Sequence, residues 1–325
     1  MTDQSKTTTT AQGVRIGWLD MPEAIRAQVE DWLGGAVVEA VTPSGGFSPG
    51  VVALLRTADG RKVFIKAASP AQNPDTPAIH RREARIMEHF PAGAPVPRLL
   101  WSIDDAESGW FVALYWPIKG RSPAQPWQTD ELLRVLDAVT ALATALTPSP
   151  LLPPLVPTAS EALAQHICGW QLLADDPPLR DRLDDWSLRH LEGLARLEAK
   201  APAAAVGDTL LHFDLRADNM LIDDQRVWIV DWPHAAIGAA WVDMVLFAPS
   251  VRLSGGLSPE ELLNHHAPSR AADSDALNAV IASLAGYFTQ RGLLPPPPGL
   301  PTVRAFQAAQ GVVTREWLAQ RLGWR

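Results

Sequence analysis

Leu210–Trp232 reads LLHFDLRADNMLIDDQRVWIVDW, and this stretch decides the fold. It is the one conspicuously non-helical segment in a helix-rich second half. Its polar first part predicts a loop and its apolar second part a short hairpin. Asp214 stands two residues after His212 and five before Asn219, and Asp231 follows 12 residues after Asn219, at the end of the apolar run VWIV. A loop of this length can hold all three of its polar residues together. The Asp would stand near a substrate hydroxyl and the Asn amide oxygen would turn toward a divalent cation. The hairpin then carries a second carboxylate, Asp231, back to the same cation, whose preference for hard oxygen ligands suits a carboxylate, an amide and phosphate oxygens. That describes a clamp for a magnesium-bound nucleotide.

Upstream, the pattern is different. Met21–Gly34 has helical spacing, AVVEAVTP turns to β-branched strand residues, and SGGFSPG (Ser44–Gly50) separates that strand from VVALLRT. Asp59-Gly60 marks a tight turn into RKVFIKAA, Pro77–Phe90 predicts a helix, and PVPRLLWSID with GWFVALYW predicts two further strands. The expectation is an α+β chain: a five-stranded antiparallel first lobe with one inserted helix over residues 14–117, and a mainly helical second lobe over 118–325. In the latter, helices are expected over Thr129–Leu146, Ser160–Leu173 and Pro178–Lys200, with Pro295–Pro298 separating two more. The polar start, residues 1–13, is expected to be disordered.

HFDLRADN and IVDW resemble the catalytic loop and the metal-binding Asp of the aminoglycoside phosphotransferase family, relatives of the eukaryotic protein kinases. The resemblance runs in order from about Val37 to Phe247. It implies that Lys66 of VFIKAA grips the α- and β-phosphates, that Glu83 of HRREARIMEHF pairs with it, and that Gly45, Gly46, Ser48 and Gly50 belong to the loop covering the phosphates. It further implies Asp214 as the base that accepts the acceptor's hydroxyl proton, Asn219 and Asp231 as magnesium ligands, and His212 and Asp243 as structural groups within the site. Taken singly, Lys66 reads as a strand lysine, Glu83 as a helix charge and the glycines as a plain turn; the ordered set outweighs those readings. Two departures stand out. Phe213 occupies a place where the family usually has Gly and protein kinases have Arg, and only 11 residues separate Asp231 from Asp243, too few for a peptide-docking activation segment.

The implied activity is transfer of the γ-phosphoryl group of ATP, or of GTP, to a hydroxyl of a small molecule. The alternative is a nucleotide-binding pseudokinase that scaffolds without transferring. With 28 Lys and Arg against 36 Asp and Glu, a net charge of −8 and no long basic run, a nucleic-acid partner is not expected. Neither is a membrane span, since apolar runs are broken by Pro or charge. One cysteine, Cys168, and no Cys-rich metal framework fit a reducing cytoplasm, and the absence of heptads leaves a monomer as the expectation. The acidic residues Asp175, Asp176, Asp181, Asp184 and Asp185 read as a solvated helix face rather than a lure for a polycationic acceptor.

Overall fold

The computed structural model describes residues 13–43 and 46–325; of the expected N-terminal tail only Gly13 falls within them, and Ser44 and Gly45 lie outside. Five strands form the first lobe: β1 Val37–Val41, β2 Val51–Thr57, β3 Lys62–Ala68, β4 Leu99–Asp105 and β5 Trp110–Tyr115. They make one antiparallel sheet in the order β1-β2-β3-β5-β4. Strand alternation gives the sheet two different faces. Val63, Ile65 and Ala67 of β3 join Val112 and Leu114 of β5 under helix α1 (Glu23–Leu33), whose Ile25, Val29 and Leu33 recur at helical spacing and are buried there. Phe64 and Lys66 point the other way. That second face receives α2 (Thr76–Glu88), the helix inserted between β3 and β4, through Ala84, Ile86 and Met87.

The second lobe begins with α3 (Thr129–Ala145) and continues through α4 (Ala159–His166), α5 (Trp170–Asp175), α6 (Pro177–Arg180), α7 (Asp185–Glu198) and α8 (Ala201–Ala204). Two antiparallel pairs follow: β6 (Thr209–Leu211) with β9 (Ala236–Gly238), and β7 (Met220–Ile222) with β8 (Val227–Ile229). The last helices are α9 (Val242–Leu253), α10 (Pro259–His265), α11 (Ala267–Arg270), α12 (Ser274–Gly292) and α13 (Val303–Leu322). Among the described residues no helix is long and apolar enough to cross a membrane.

Two expected helices are each broken in two. Ser160–Leu173 divides at Ile167–Gly169 because Gly169 runs against the backbone of α12, where a Cβ would lie 2.0 Å from the Gly286 carbonyl oxygen. The new helix start is capped from a distance: Glu198 accepts the N–H groups of Gly169, Trp170 and Gln171 at 2.6, 3.0 and 3.1 Å. Pro178–Lys200 divides before Asp185, with Asp184 accepting the Ser187 N–H at 2.8 Å, while Asp176 accepts the Leu179 N–H at 3.1 Å. Part of the acidic stretch is thus spent on helix caps.

Candidate active site

The loop after β6 is shaped by one buried carboxylate. Asp243, in the first turn of α9, accepts the backbone N–H groups of His212 at 2.8 Å and Phe213 at 2.7 Å. Between them they hold Phe213 at φ 66°, in the left-handed region that favours glycine. This gives a physical reason for a Gly at that position in the resembling family; here a buried Phe takes the same backbone shape. His212 braces the loop from within. Its Nε2 donates to the Val230 carbonyl (2.9 Å) and its Nδ1 accepts the Asp214 N–H (3.2 Å), which assigns the proton to Nε2. The Asn219 amide donates to the Asp214 backbone oxygen at 2.9 Å and to its Oδ2 at 3.3 Å. The Asn219 side-chain oxygen has no hydrogen bond among the described residues and could face a cation. The Asp214 side chain remains 36% exposed, open to the cleft.

From β8 the chain passes through Val230 into Asp231, which sits at φ 70°. Lys66 Nζ donates to Asp231 Oδ1 at 2.8 Å and to both Glu83 oxygens at 2.8 and 2.7 Å. Strand β3, helix α2 and the hairpin end therefore meet at one ammonium. Burial opposes the charge on Lys66, but Asp231 and Glu83 beside it raise its pKa above the ordinary lysine value. Burial likewise opposes ionisation of Asp231, and the adjacent Lys66 nevertheless holds it well below the usual carboxylate range. Glu83 moves the other way, lifted by burial against the pull of Lys66. One turn before Glu83 on α2 lies His80, 1% exposed, with neither ring nitrogen hydrogen-bonded among the described residues. Burial and then the Lys66 charge push its pKa down to about 3, so it is neutral. It lies close enough to this cluster to feel the charges of Lys66 and Asp231.

Of the loop Ser44–Gly50, Gly46 (φ 84°) and Gly50 (φ 98°) adopt left-handed backbone. At Gly50 a Cβ would lie 2.4 Å from the Ala67 oxygen, so only glycine fits. Ser48 is half-buried and Gly45 lies outside the described residues. A strap absent from the sequence reading lies against this loop. Ile16 donates to the Gly50 carbonyl at 3.1 Å, Gly13 to Gly46 at 3.0 Å, and Val14 to Gly299 in the turn before α13 at 2.8 Å. Arg15, on this strap, is half-buried, its Nε without a partner among the described residues, and it feels the charges of Asp231 and Asp218. Arg216 was also missed. It pairs with Asp218 through Nε at 2.9 Å, lies 3.9 Å from Asp214 Oδ2, and is flanked by Phe47 of the glycine loop (4.9 Å) and Phe306 of α13 (5.4 Å). Its Asp-x-Arg spacing within the loop was the available signal.

A family model described as the phosphotransferase enzyme family (APH) matches residues 39–272. The chain belongs to that family. Solved structures similar to this phosphotransferase include choline kinase LicA from Streptococcus pneumoniae, at 13% identity and a TM-score of 0.57 over 93% of this chain and 99% of that one. A thermostable mutant of aminoglycoside phosphotransferase APH(4)-Ia, in a ternary complex with ADP and hygromycin B, gives 16% identity and a TM-score of 0.57 over 90% and 98%. The gentamicin complex of APH(2")-IIa gives 14% and 0.56 over 93% and 97%. At such identities the likeness is one of fold, and it agrees with the five-stranded antiparallel sheet and helical second lobe of a protein-kinase-like architecture. A comparison with curated proteins found no match.

Proposed function

We propose that this phosphotransferase moves the γ-phosphoryl group of ATP, with GTP the alternative donor, onto a hydroxyl of a small molecule in a magnesium-dependent reaction. The observation that carries the reading is the convergence of four groups: the Lys66–Glu83 pair, Asp231 bonded to the same ammonium, Asn219 with its amide nitrogen engaged, and Asp214 open to the cleft. Phosphoryl transfer is mostly positioning and charge neutralisation, and each of these residues has a part in it.

The donor set fits magnesium. Asn219 offers an amide oxygen, and Asp231 has Oδ2 without a hydrogen bond among the described residues. Such a pair suits a cation that takes one or two protein ligands and completes its shell with phosphate oxygens and water. Bound there, magnesium would neutralise charge on the phosphates. Lys66, fixed by Glu83, adds a second positive charge, and Arg15 and the Gly46–Gly50 backbone lie on the same side. Asp214 orients the acceptor hydroxyl and takes its proton, its position set by the His212 and Asn219 hydrogen bonds. Asp243 and His212 hold that loop in place. The division of labour falls near Pro117, with residues 14–117 holding phosphates and 118–325 carrying the catalytic loop and acceptor site.

The acceptor is small in this reading because only β9 and its flanking turns lie between Asp231 and α9, leaving no segment on which a peptide could dock. A single cysteine and the lack of heptads favour a cytoplasmic monomer. No observation favours a scaffolding pseudokinase. The test is Asp214→Asn: nucleotide binding should persist while acceptor-dependent ADP release falls on the order of 10³-fold. Unchanged ADP release would remove Asp214 from the chemistry.

A further inference from the structure

Two arginines near the Asp214 loop, Arg291 and Arg304, stand without ion-pair partners among the described residues. Near the end of α12, Tyr287 is half-buried, and the Arg291 guanidinium lies over its ring at 5.7 Å. From the first turns of α13, Gln307 Nε2 donates to the Tyr287 hydroxyl (3.4 Å), and Arg304 Nη1 donates to Gln307 Oε1 (2.9 Å). Arg304 Nε is taken by the Pro295 carbonyl at 3.0 Å, which leaves Nη2 without a hydrogen bond, and the Arg291 side chain donates none among the described residues. This group adjoins the catalytic loop, because Phe306, next to Gln307, contacts the same Arg216 guanidinium that stands 3.9 Å from Asp214 Oδ2.

Neither Arg291 nor Arg304 has a carboxylate within 4.0 Å among the described residues, although other arginines on α13 are matched: Arg315 with Asp184 at 3.2 Å and Arg321 with Glu260 at 2.7 Å. The Asp214 carboxylate is near enough for its charge to act on Tyr287, as do the charges of Arg291 and Arg304. The acidic stretch of α5–α7 does not serve here; Asp176 and Asp184 cap helices and Asp175 accepts from Gln171. Two half-buried guanidiniums converging on one phenol repel each other, and the lower pKa of Arg304, set by burial and then by Arg291, agrees with that. Free N–H donors and uncompensated positive charge are what an oxyanion binds.

Resting on the phosphotransferase reading, we propose that the acceptor is anionic: a hydroxyl-bearing small molecule whose carboxylate or phosphate group is held by Arg291 and Arg304 while its hydroxyl faces Asp214. A polycationic acceptor would meet repulsion at this wall.

The experiment uses the full chain saturated with Mg·AMP-PNP and four probes on one skeleton: glucose, glucosamine, glucuronate and glucose 6-phosphate. Titration calorimetry should show one or both anions binding at least tenfold more tightly than glucose, with glucosamine the weakest; which anion is preferred separates a carboxylate from a phosphate acceptor. The variant R291Q/R304Q should bring the anions to the level of glucose. R291K/R304K, which keeps the charge, should retain most of the preference, and equal melting temperatures exclude misfolding. Glucosamine binding best, equal or undetectable binding of all four, or an anion preference that survives R291Q/R304Q would overturn the proposal. Failure to saturate with Mg·AMP-PNP would instead fell the phosphotransferase reading and this inference with it.

Discussion

Asp243→Ala removes the acceptor for two buried backbone N–H groups, at 2.8 and 2.7 Å, that hold His212 and Phe213 in place. Hydrogen bonds from an N–H to an ionised acceptor contribute about 1.5–3 kcal/mol each. They also offset the cost of the left-handed backbone of Phe213, about 1–2 kcal/mol in a residue other than glycine. Against this, the variant no longer buries a carboxylate, whose pKa burial already raises. The net loss should be about 2–4 kcal/mol. At ~2.1 cal/mol/K per residue, a loss of about 3 kcal/mol lowers Tm by about 4 °C in a chain of this length. Once the clamp is gone Phe213 can relax toward negative φ, and Asp214, the next residue, moves with it. Misplacement by about 1 Å costs on the order of 10²-fold in rate. The assay pairs thermal unfolding with acceptor-dependent ADP release. A variant within about 0.5 kcal/mol of the wild type, with kcat unchanged, would refute the claim that this carboxylate sets the loop that carries Asp214.

Two further outcomes follow from the same geometry. His80 has a folded pKa of about 3 against an ordinary 6.5, so between those values the unfolded chain binds a proton that the folded chain refuses, and stability falls as pH drops through that window. At pH 5 the loss relative to pH 8 should be about 2 kcal/mol; His80→Leu should abolish that increment in urea titrations at the two pH values, and an identical pH dependence in the two proteins would contradict it. Arg15→Ala should weaken Mg·ATP binding about tenfold, the equivalent of one charge-assisted hydrogen bond, with kcat little changed at saturating nucleotide; an unaltered Kd would place Arg15 outside the phosphate site.

The arrangement of the candidate site was legible where its parts are close in sequence. His212, Asp214 and Asn219 share one loop, Asp231 follows through one tight hairpin, and spacing alone limits where such groups can go. Lys66 and Glu83 were legible only as members of an ordered set, since nothing local distinguishes a buried strand lysine from an exposed one. The helix breaks were not legible, because the determinants of Gly169 are Gly286 and Glu198, residues that only packing brings near. Arg15 was hidden for the same reason: it follows a polar start that reads as a tail, and its neighbours are the glycine loop and the turn before α13. Arg291 and Arg304 lie on different helices on either side of Pro295–Pro298, so their convergence on Tyr287 depends on how α12 and α13 pack. The five acidic residues between Asp175 and Asp185 read as a solvated face, a reading that holds only in part, as two of them cap helices.

The most direct measurement of the central claim is calorimetric titration of ATP, with and without magnesium, into the wild type and Asp231→Ala. The account predicts saturable binding to the wild type that tightens with magnesium, and loss of that metal dependence in the variant, whose Lys66 keeps only Glu83 as a partner. Absence of nucleotide binding in a folded wild type, or magnesium dependence that survives removal of the Asp231 carboxylate, would contradict it.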